Sequence, residues 1–600
     1  MRQLNSSRRL LFVPVVVILA IGFALYAAHM YRSAATPPAP APAKEPANGT
    51  SPAAYVDSLM RRMSVEEKVG QLFMVGFPGQ IMGYEVRTLV EDYHVGGVIL
   101  FGRNVDSPAQ VAYLTNQLQQ AAATNGARIP LLIAADQEGG MVNRLGPKAT
   151  IFPGQMALGA TGSVELARRQ GEITGQELRA VGINVNFAPV VDVNNNPRNP
   201  VIGIRSLGED PQAVSRLASA YIEGLQSTGV MATAKHFPGH GDTSVDSHAG
   251  LPVVDHPRER LDKVELAPFR AAIDAGVQAI MTAHIVFPAI DSTPGLPATL
   301  SAKVLTGLLR EEMGFSGLIF TDALEMGAID KTYGTEEAAV MALRAGANMM
   351  LVAWPADWYD AVRTIKRVVE AVQKGEVKQE QVDAAVRRVL LAKYDLGLFE
   401  KNQVDQSKVT EIVGRAENRQ VGLEAARRSV TVVRNSEKLL PLKSGYTGRV
   451  LVIGPQETTL TGVEELGGAS STLGKAVRSG VKNVTEYMYP VRTFDPASAI
   501  AQARQADIII VGTYRATQYR SQVDMVNQLL KLGKPVIVVA LREPYDIMEF
   551  PQVKTYITTY GTTTVAMTAL GDILFGRVKP TGKLPVSIPG VAQAGTGVTW

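Results

Sequence analysis

Short apolar runs alternate with longer amphipathic segments along most of the chain, starting near residue 55. The longer segments, such as 109–123 and 164–181, carry apolar residues at helical spacing, whereas the runs have the length of buried strands. Eight runs precede a change in the pattern: 71–77, 96–101, 130–136, 183–189, 232–236, 279–284, 317–322 and 348–353. Because strands that alternate with helices form parallel sheets, these units predict a TIM-type (β/α)8 barrel over residues 55–395.

A second unit follows the barrel. Helical spacing over 360–394 leads into a connecting segment, 396–424, and buried-strand runs then resume in 425–600. These runs are 450–454, 507–512 and 535–540. Helical segments separate them, so we predict an open α/β sandwich domain. The first run leads into Pro455 instead of a glycine-rich turn, which argues against a nucleotide site.

Composition narrows the class of protein. The 600 residues are 46% apolar and 19% charged, which is typical of a globular chain of several domains. A net charge of +4 is too small to indicate nucleic-acid binding. The absence of cysteine excludes disulfides, zinc-thiolate sites, a thiol nucleophile and a lipidated cysteine.

The N-terminus carries a targeting signal. Basic residues at Arg2, Arg8 and Arg9 precede the apolar stretch 10–28, and a linker rich in proline and alanine occupies 34–54. The stretch is long enough for one membrane span, so we predict a signal-anchor over 1–33, with a cleaved signal peptide as the alternative. The body of the protein is therefore expected outside the cytoplasm, membrane-anchored at the cell surface or secreted.

The segment 235–248 is the richest in chemistry, with the sequence Lys-His-Phe-Pro-Gly-His-Gly-Asp-Thr-Ser-Val-Asp-Ser-His. It holds three of the seven histidines of the chain. Its proline and glycine residues exclude a regular helix or strand, so it forms a shaped loop after a buried strand. Loops in that position commonly carry catalytic residues.

Two kinds of site fit this loop. A metal site on His236 and His240 is the weaker hypothesis, because a Pro-Gly pair separates the two residues and the chain offers no cysteine ligand. Acid–base chemistry is favoured by Asp246 and His248, which lie two residues apart. In extended backbone they point to the same side, so the carboxylate can orient the imidazole.

Several further motifs occur along the chain. Each alone is weak evidence for a protein family, but together with this loop they are highly specific. They cover 136–144 (Asp-Gln-Glu-Gly-Gly-Met-Val-Asn-Arg), 186–193, 202–208, 320–326 and 575–586. In this order and spacing the chain resembles glycoside hydrolase family 3 from about residue 55 to 590. Within that family it is similar to the β-N-acetylglucosaminidase branch, in the two-domain form found in Gram-positive bacteria.

The resemblance implies that Asp322 is the nucleophile of a retaining glycosidase, which forms a covalent glycosyl-enzyme. The local pattern agrees, because Asp322 ends an apolar strand where its only structural use would be as a helix N-cap. His248, oriented by Asp246, would be the acid/base group. We expect the loop to close over the substrate before His248 reaches the glycosidic oxygen.

The same resemblance implies a sugar-binding set: Asp136, Arg144, Arg205, Lys235 and His236. Asp136 would accept hydrogen bonds from two hydroxyls, and the two arginines would donate to hydroxyls or to the acetamide. Taken singly, Arg144 and Arg205 would instead be interpreted as salt-bridge residues.

Four neighbouring residues receive less definite roles. Glu138 stays open, and Asp192 either belongs to the site or fixes the turn at 194–196. We expect His240 to shape the loop and His284 to line the end of the sixth strand without chemistry. The chain also departs from the family at Ala323, since Thr-Asp-Ala stands where Ser-Asp-Asp or Thr-Asp-Asp is common. This difference should change local electrostatics and leave the nucleophile in place.

The predicted activity is exo-hydrolysis of terminal N-acetylglucosamine from cell-wall muropeptides or chitooligosaccharides, with no cofactor or metal. One alternative is a β-glucosidase or xylosidase of the same family, which generally takes its acid/base Glu from the second domain. A second is a phosphorylase, because a neutral histidine repels phosphate less than a carboxylate does. A third is an inactive wall-binding module. The sequence has no signature for oligomeric state, glycan length or the role of the second domain.

Overall fold

The computed structural model describes residues 51–353, 358–465 and 472–600. The expected anchor or signal segment, 1–33, and nearly all of the expected linker, 34–54, lie outside the described residues. Among those residues no helix combines the length and the apolar character needed to cross a membrane. The described residues belong to one compact unit.

The first part of the chain forms a closed barrel of parallel strands in sequential order, with the eighth strand paired to the first. The strands are β1 Phe73–Val75, β2 Gly97–Leu100, β3 Leu132–Ala135, β4 Val185–Asn186, β5 Met231–Phe237, β6 Ala279–Thr282, β7 Leu318–Ala323 and β8 Met349–Val352. Each coincides with a predicted apolar run, which confirms the barrel. The strands are buried almost throughout, which explains their uninterrupted apolar sequences.

Helices surround the barrel. They are α1 Pro52–Met60, α2 Val65–Gly70, α3 Tyr84–Glu91, α4 Pro108–Ala122, α5 Gln155–Thr161, α6 Val164–Ala180, α7 Pro211–Gln226, α8 Arg258–Lys263, α9 Ala267–Asp274, α10 Gly327–Tyr333, α11 Thr335–Ala345, α12 Trp358–Gln373 and α13 Gln379–Asp395, with a π-helix at Lys303–Glu312. Local signals set several starts. Ser107, for example, caps α4 by accepting from the Gln110 N–H at 3.3 Å, and proline occupies the first position.

Two helices link the barrel to the second domain: α14 Val409–Ile412 and α15 Ala416–Ser429. The second domain contains β9 Thr431–Asn435, β10 Val450–Pro455, α16 Leu473–Arg478, β11 Val484–Tyr489, α17 Ala497–Ala503, β12 Ile508–Thr513, α18 Arg520–Leu530, β13 Val536–Ala540, β14 Thr555–Thr558 and α19 Thr564–Leu574. Its open sheet has the order β11-β10-β12-β13-β14-β9, and only β9 is antiparallel to its neighbour. The predicted α/β sandwich is confirmed.

The two domains meet at the carboxyl ends of their strands. Past β12, Arg515 donates to the Asn199 carbonyl at 2.6 Å, and past β13, the Tyr545 hydroxyl accepts from the Asn194 amide at 2.9 Å. Both asparagines belong to the loop that follows β4. The segment after β10 also crosses to the barrel, where Gly462 lines the cavity at the mouth. The second domain therefore covers the face on which a barrel of this type places its active site.

Candidate active site

A cluster of paired charges forms one side of the cavity. Lys235, near the end of β5, places Nζ 2.7 Å from Oδ1 of Asp136 and 2.8 Å from Oε1 of Glu138. Both acidic residues follow β3. Arg205, on a 3₁₀ turn after β4, donates Nε and Nη2 to the two oxygens of Glu138 at 2.9 and 2.7 Å. This fork-to-fork pairing fixes both side chains in one plane.

The charge cluster stays ionised although it is buried. Burial by itself raises the pKa of Glu138, but the charges of Arg205 and Lys235 outweigh burial and hold that pKa well below its usual range. Burial likewise lowers the pKa of Arg205, and the Glu138 carboxylate more than reverses this shift. The cluster is therefore a set of fixed charges near neutral pH, suited to holding hydroxyl groups by charge-assisted hydrogen bonds.

Arg144 completes the charge cluster and connects it to the second domain. Its Nη2 lies 3.6 Å from Oδ2 of Asp136, while Nη1 lies 3.0 Å from Oε1 of Glu465 and donates to the Val463 carbonyl at 3.0 Å. The same Glu465 oxygen accepts from the Gly102 N–H at 2.9 Å. The segment after β10 is thus part of the cavity wall, a role that had no signature in the sequence.

Asp192 positions His236, which resolves the open choice about this carboxylate. His236 Nδ1 lies 2.8 Å from Oδ2 of Asp192, and the His240 N–H donates to Oδ1 at 2.7 Å. Asp192 is completely buried and serves the histidine loop, not the turn at 194–196. With Nδ1 donating to the carboxylate, Nε2 of His236 is an acceptor that faces Arg205 at 3.5 Å.

Two other histidines are fully occupied. His240 contacts the Thr243 hydroxyl through Nδ1 and the Ser247 hydroxyl through Nε2, both at 2.9 Å, so it shapes the loop. His284 contacts the Thr299 hydroxyl at 2.8 Å and donates from Nε2 to the Ala323 carbonyl at 2.9 Å. Burial lowers the pKa of both, that of His240 to about 4. Both imidazoles are neutral near pH 7. Because both nitrogens of each ring already have a hydrogen-bond partner, neither ring has a nitrogen left for proton transfer.

His248 differs from these histidines. Its Nδ1 lies 2.7 Å from Oδ1 of Asp246, which also accepts the His248 N–H at 2.9 Å. Its Nε2 has no hydrogen-bond partner among the described residues, and 26% of the side chain is exposed. Burial raises the pKa of Asp246, but the hydrogen bonds from His248 outweigh burial and lower it. The ionised carboxylate fixes Nδ1–H and turns Nε2 toward the cavity.

The loop that carries His248 is docked against α10. The Gly327 N–H donates to the His248 carbonyl at 3.3 Å and the Ala328 N–H to the Ser247 carbonyl at 3.1 Å. Lys331 donates to the Ala249 carbonyl at 2.8 Å. These contacts bring His248 to the cavity that Asp322 also lines.

Asp322 lies near the end of β7. Unlike the other carboxylates that line the cavity, it has no ion-pair partner among the described residues. Its Oδ1 accepts the Ala323 N–H at 2.8 Å. Burial raises its pKa, but the facing imidazoles of His284, His236 and His248 and this hydrogen bond outweigh burial and lower it. The carboxyl group is therefore ionised near neutral pH and available to a ligand.

Comparison with known proteins identifies the family. Residues 64–392 match the model of the glycosyl hydrolase family 3 N-terminal domain, and residues 430–597 match that of the family's C-terminal domain. The chain belongs to glycoside hydrolase family 3. It is accordingly a glycoside hydrolase, as the motifs indicated.

Several relatives of this family 3 enzyme align over both domains. Beta-hexosaminidase A of Pseudoalteromonas piscicida is 33% identical over 84% of this chain and 91% of its own length. The beta-N-acetylglucosaminidase/beta-glucosidase of Cellulomonas fimi is 30% identical over 89% and 95%. A solved family 3 beta-N-acetylglucosaminidase from Paenibacillus sp. str. FPU-7 superposes with a TM-score of 0.80 at 40% identity, covering 88% of this chain and all of that one.

The family 3 departure at Ala323 has a structural counterpart. The small side chain lines the cavity, and the Ala323 carbonyl receives the hydrogen bond from His284. A carboxylate at this position would add a negative charge beside Asp322. Asp322 keeps its place at the strand end without that neighbour.

Proposed function

We propose that this family 3 enzyme is a retaining exo-β-N-acetylglucosaminidase that removes terminal N-acetylglucosamine from cell-wall muropeptides or chitooligosaccharides. One observation carries the proposal: Asp322 and His248 present unpartnered atoms to a cavity whose other carboxylates and histidines are all engaged. A nucleophile and a proton carrier are the two groups that a retaining mechanism requires.

In the first step, an oxygen of Asp322 attacks the anomeric carbon while the bond to the leaving oxygen breaks. The protonated Nε2 of His248 gives its proton to that oxygen, so the aglycone departs as a neutral alcohol. Asp246 holds the imidazole in this orientation through its 2.7 Å contact with Nδ1. The product on the enzyme is a glycosyl ester of Asp322.

In the second step, the now neutral Nε2 of His248 accepts a proton from a water molecule, whose oxygen attacks the anomeric carbon from the face that the aglycone left. The ester bond to Asp322 breaks and the carboxylate is regenerated. Two inversions give net retention. The lowered pKa of Asp322 makes it a good leaving group in this step as well as an ionised nucleophile in the first.

The charge cluster would bind the non-reducing sugar. Asp136 accepts from hydroxyl groups, and Arg144 and Arg205 donate to hydroxyls or to the acetamide carbonyl. The second-domain segment with Val463 closes this end of the cavity, which favours an enzyme that takes chain ends.

The glutamates of the second domain near the cavity are held in ion pairs, which argues against the glucosidase alternative. Within the described residues, the candidates for such an acid/base group are Glu464 and Glu465, which directly follow the cavity-lining Gly462 and Val463. Glu464 is buried in an ion pair with Arg542, and Glu465 is paired with Arg144. Glu464 is thus engaged inside the second domain and Glu465 in the contact between the domains, whereas His248 has a nitrogen available.

Azide distinguishes the two catalytic roles. With Asp322→Gly and an activated aryl N-acetylglucosaminide, azide should enter the vacated side and give the α-glycosyl azide. With His248→Ala, azide should instead attack the glycosyl-enzyme and give the β-glycosyl azide. The anomeric configuration is measured by NMR. Rescue of both variants to the same anomer, or of neither, would refute these assignments.

Substrate class is tested on the wild-type enzyme. We expect 4-nitrophenyl β-N-acetylglucosaminide to be hydrolysed faster than the matching β-glucoside, and the rate to be independent of phosphate. A preference for the glucoside would support the alternative within the family. Formation of a sugar phosphate would identify a phosphorylase, and inactivity on both substrates and on wall fragments would leave a binding module.

We also propose an extracytoplasmic location, membrane-anchored or secreted, because the basic and apolar residues of 1–33 have the pattern of an export signal. Protease added to intact spheroplasts should digest an anchored enzyme while a cytoplasmic marker survives. Protection of the enzyme would contradict the proposal.

A further inference from the structure

A group of large apolar side chains is exposed on one edge of the barrel. Ile81 is 69% exposed, Tyr84 71% and Tyr359 55%. Trp358 lies between the two tyrosines, with its ring centroid 6.0 Å from that of Tyr84, edge to face, and 4.2 Å from that of Tyr359. We call these four residues the aromatic platform. Trp358 is itself partly buried against the barrel core, and the exposed tyrosines flank it. An exposed group of large apolar side chains marks a binding surface more often than a structural one.

The aromatic platform lies on the catalytic face of the barrel. Tyr84 is the first residue of α3, which follows β1, and Trp358 is the first residue of α12, which follows β8. Strands β1 and β8 are neighbours in the barrel. Helices of this fold begin at the carboxyl ends of the strands, where the active site is built. The aromatic platform and the cavity therefore open on the same side.

Arg103 connects the aromatic platform to the cavity. Phe101 lines the cavity, and the guanidinium carbon of Arg103 lies 4.3 Å above its ring. Arg103 donates to the Phe77 carbonyl at 3.2 Å and to the Ala353 carbonyl at 3.1 Å. Phe77 begins the loop that leads to Ile81 and Tyr84, and Ala353 directly follows β8. Arg103 thus joins the cavity wall at Phe101 to the backbone of the two segments that lead toward the aromatic platform.

We propose that the aromatic platform binds the sugar rings beyond the scissile bond of a longer N-acetylglucosamine glycan, an inference that rests on the proposed function. One face of a pyranose ring presents C–H groups that pack on aromatic rings, and its equatorial hydroxyl and acetamide groups suit the hydroxyl of Tyr84, the most exposed ring. The cavity holds the terminal sugar, so the following sugars must leave through the mouth on which this surface opens.

A polymer surface explains the arrangement better than a lipid surface does. A membrane-binding patch pairs apolar residues with a cluster of Lys or Arg facing anionic headgroups. Here the cation beside Tyr359, Arg363, is paired with Glu336 at 3.2 Å and with Asp360. The neighbourhood is therefore charge-balanced around amphipathic aromatic rings.

The test is a chain-length series on the full chain with Tyr84→Ala and with Tyr84→Ala/Trp358→Ala. For chitopentaose we expect kcat/KM to fall about tenfold in the double variant, mainly through KM. For 4-nitrophenyl β-N-acetylglucosaminide we expect it to stay within about twofold, since that substrate ends near the cavity. Tyr84→Ala alone, at the most exposed ring, should show the same trend with a smaller loss and guards against misfolding of the double variant.

Tyr113→Ala is the matched control, because Tyr113 is 51% exposed on α4 and belongs to the outer helical layer. It should change neither substrate. Equal losses on both substrates, or no loss on chitopentaose, would overturn the proposal. So would reduced binding to phosphatidylglycerol vesicles with unchanged glycan kinetics, which would assign the surface to lipid. If the wild type hydrolyses neither substrate, the proposed function fails first and separately.

Discussion

The two sides of the cavity handle buried charge in opposite ways. In the charge cluster, Asp136 and Glu138 each contact at least one cation at hydrogen-bond distance, and Lys235 contacts both. On the opposite side, Asp322 accepts only a backbone N–H among the described residues, and His248 leaves Nε2 without a partner there. The charges of the charge cluster are therefore all paired before substrate binds, whereas Asp322 and His248 each keep an atom without a partner among the described residues.

This difference separates residues that build the site from residues that react in it. A completed network is rigid, and removing one member leaves a buried charge uncompensated. A group with an unpartnered atom contributes little to folding, and its loss should affect turnover without affecting stability. Activity and stability measured on the same variants therefore test the comparison, and the predictions below are ordered by the size of the expected effect.

The largest effect is expected for Asp322→Asn. Loss of the proposed nucleophile should reduce kcat by about 10⁴-fold or more, equivalent to at least about 5.5 kcal/mol of transition-state stabilisation. The free energy of unfolding should be unchanged or only slightly lower, because Asp322 has no ion-pair partner among the described residues and its lowered pKa gives the ionised form a small stabilising contribution. Steady-state kinetics and urea denaturation measure the two quantities. A variant that loses stability in step with activity would place Asp322 among the structural charges.

Glu138→Gln should give the reverse pattern. The amide keeps the shape of the side chain but leaves Arg205 and Lys235 without their shared counter-charge, so the free energy of unfolding should fall by about 3–5 kcal/mol. Urea denaturation, with Asp322→Asn as the isosteric control, makes the comparison direct. Equal stability of the two variants would show that the cluster is not a folding element.

His248→Gln and Asp246→Asn should reduce kcat by about 10²- to 10³-fold, the usual contribution of general acid–base catalysis. Substrates with a good leaving group should be less affected in the first step, because dinitrophenolate departs without a proton. The ratio of rates for 2,4-dinitrophenyl and 4-methylphenyl glycosides is the measurement. A ratio equal to that of the wild type would exclude His248 as the proton donor.

The sequence alone predicted those strands that appear as continuous apolar runs. The barrel strands are buried on both faces and so appear as continuous apolar runs. Strand β11, with the sequence Val-Thr-Glu-Tyr-Met-Tyr, lies at the sheet edge and is only partly buried. Strand β14, Thr-Tyr-Ile-Thr, is buried, but its two threonines interrupt the apolar pattern. Neither was predicted as a separate strand. Buried β12 and β13 were predicted because they have the same local signal as the barrel strands.

The site residues divide in the same way. Motif positions such as Asp322 and His248 could be proposed from local sequence, and both line the cavity. The contact between Arg144 and Val463 joins residues 319 positions apart and has no local signature. Asp192 could have been assigned to the site, because it ends an apolar run just as Asp136 does. The sequence pattern does not reveal the hydrogen-bond partner of Asp192, because its pairing with His236 depends on how two loops pack.

His240 offers a pH test of the engaged histidines. Burial lowers its pKa to about 4 from an ordinary 6.5, so the folded state binds fewer protons than the unfolded state between these values. Its contribution to stability is therefore complete above pH 6.5 and is lost as the pH falls toward 4, by at most about 1.4 kcal/mol per pH unit. In His240→Gln, unfolding free energies measured from pH 4 to 7 should show a shallower slope. Parallel curves for variant and wild type would contradict this.

The smallest effect is expected at the joint between the domains. Glu465→Gln keeps an acceptor for the Gly102 N–H but removes the charge that holds Arg144, so the arginine should be less well positioned toward the sugar. We expect KM to rise about three- to tenfold, roughly 1 kcal/mol, with kcat nearly constant. The exposed Glu457, on the same segment, provides the control Glu457→Gln, which should change neither constant. If Glu465→Gln instead lowered kcat at constant KM and altered the dependence on leaving group, the proton donor would come from the second domain. Glu465 would then be a reactive group, although its pairing with Arg144 places it among the engaged ones.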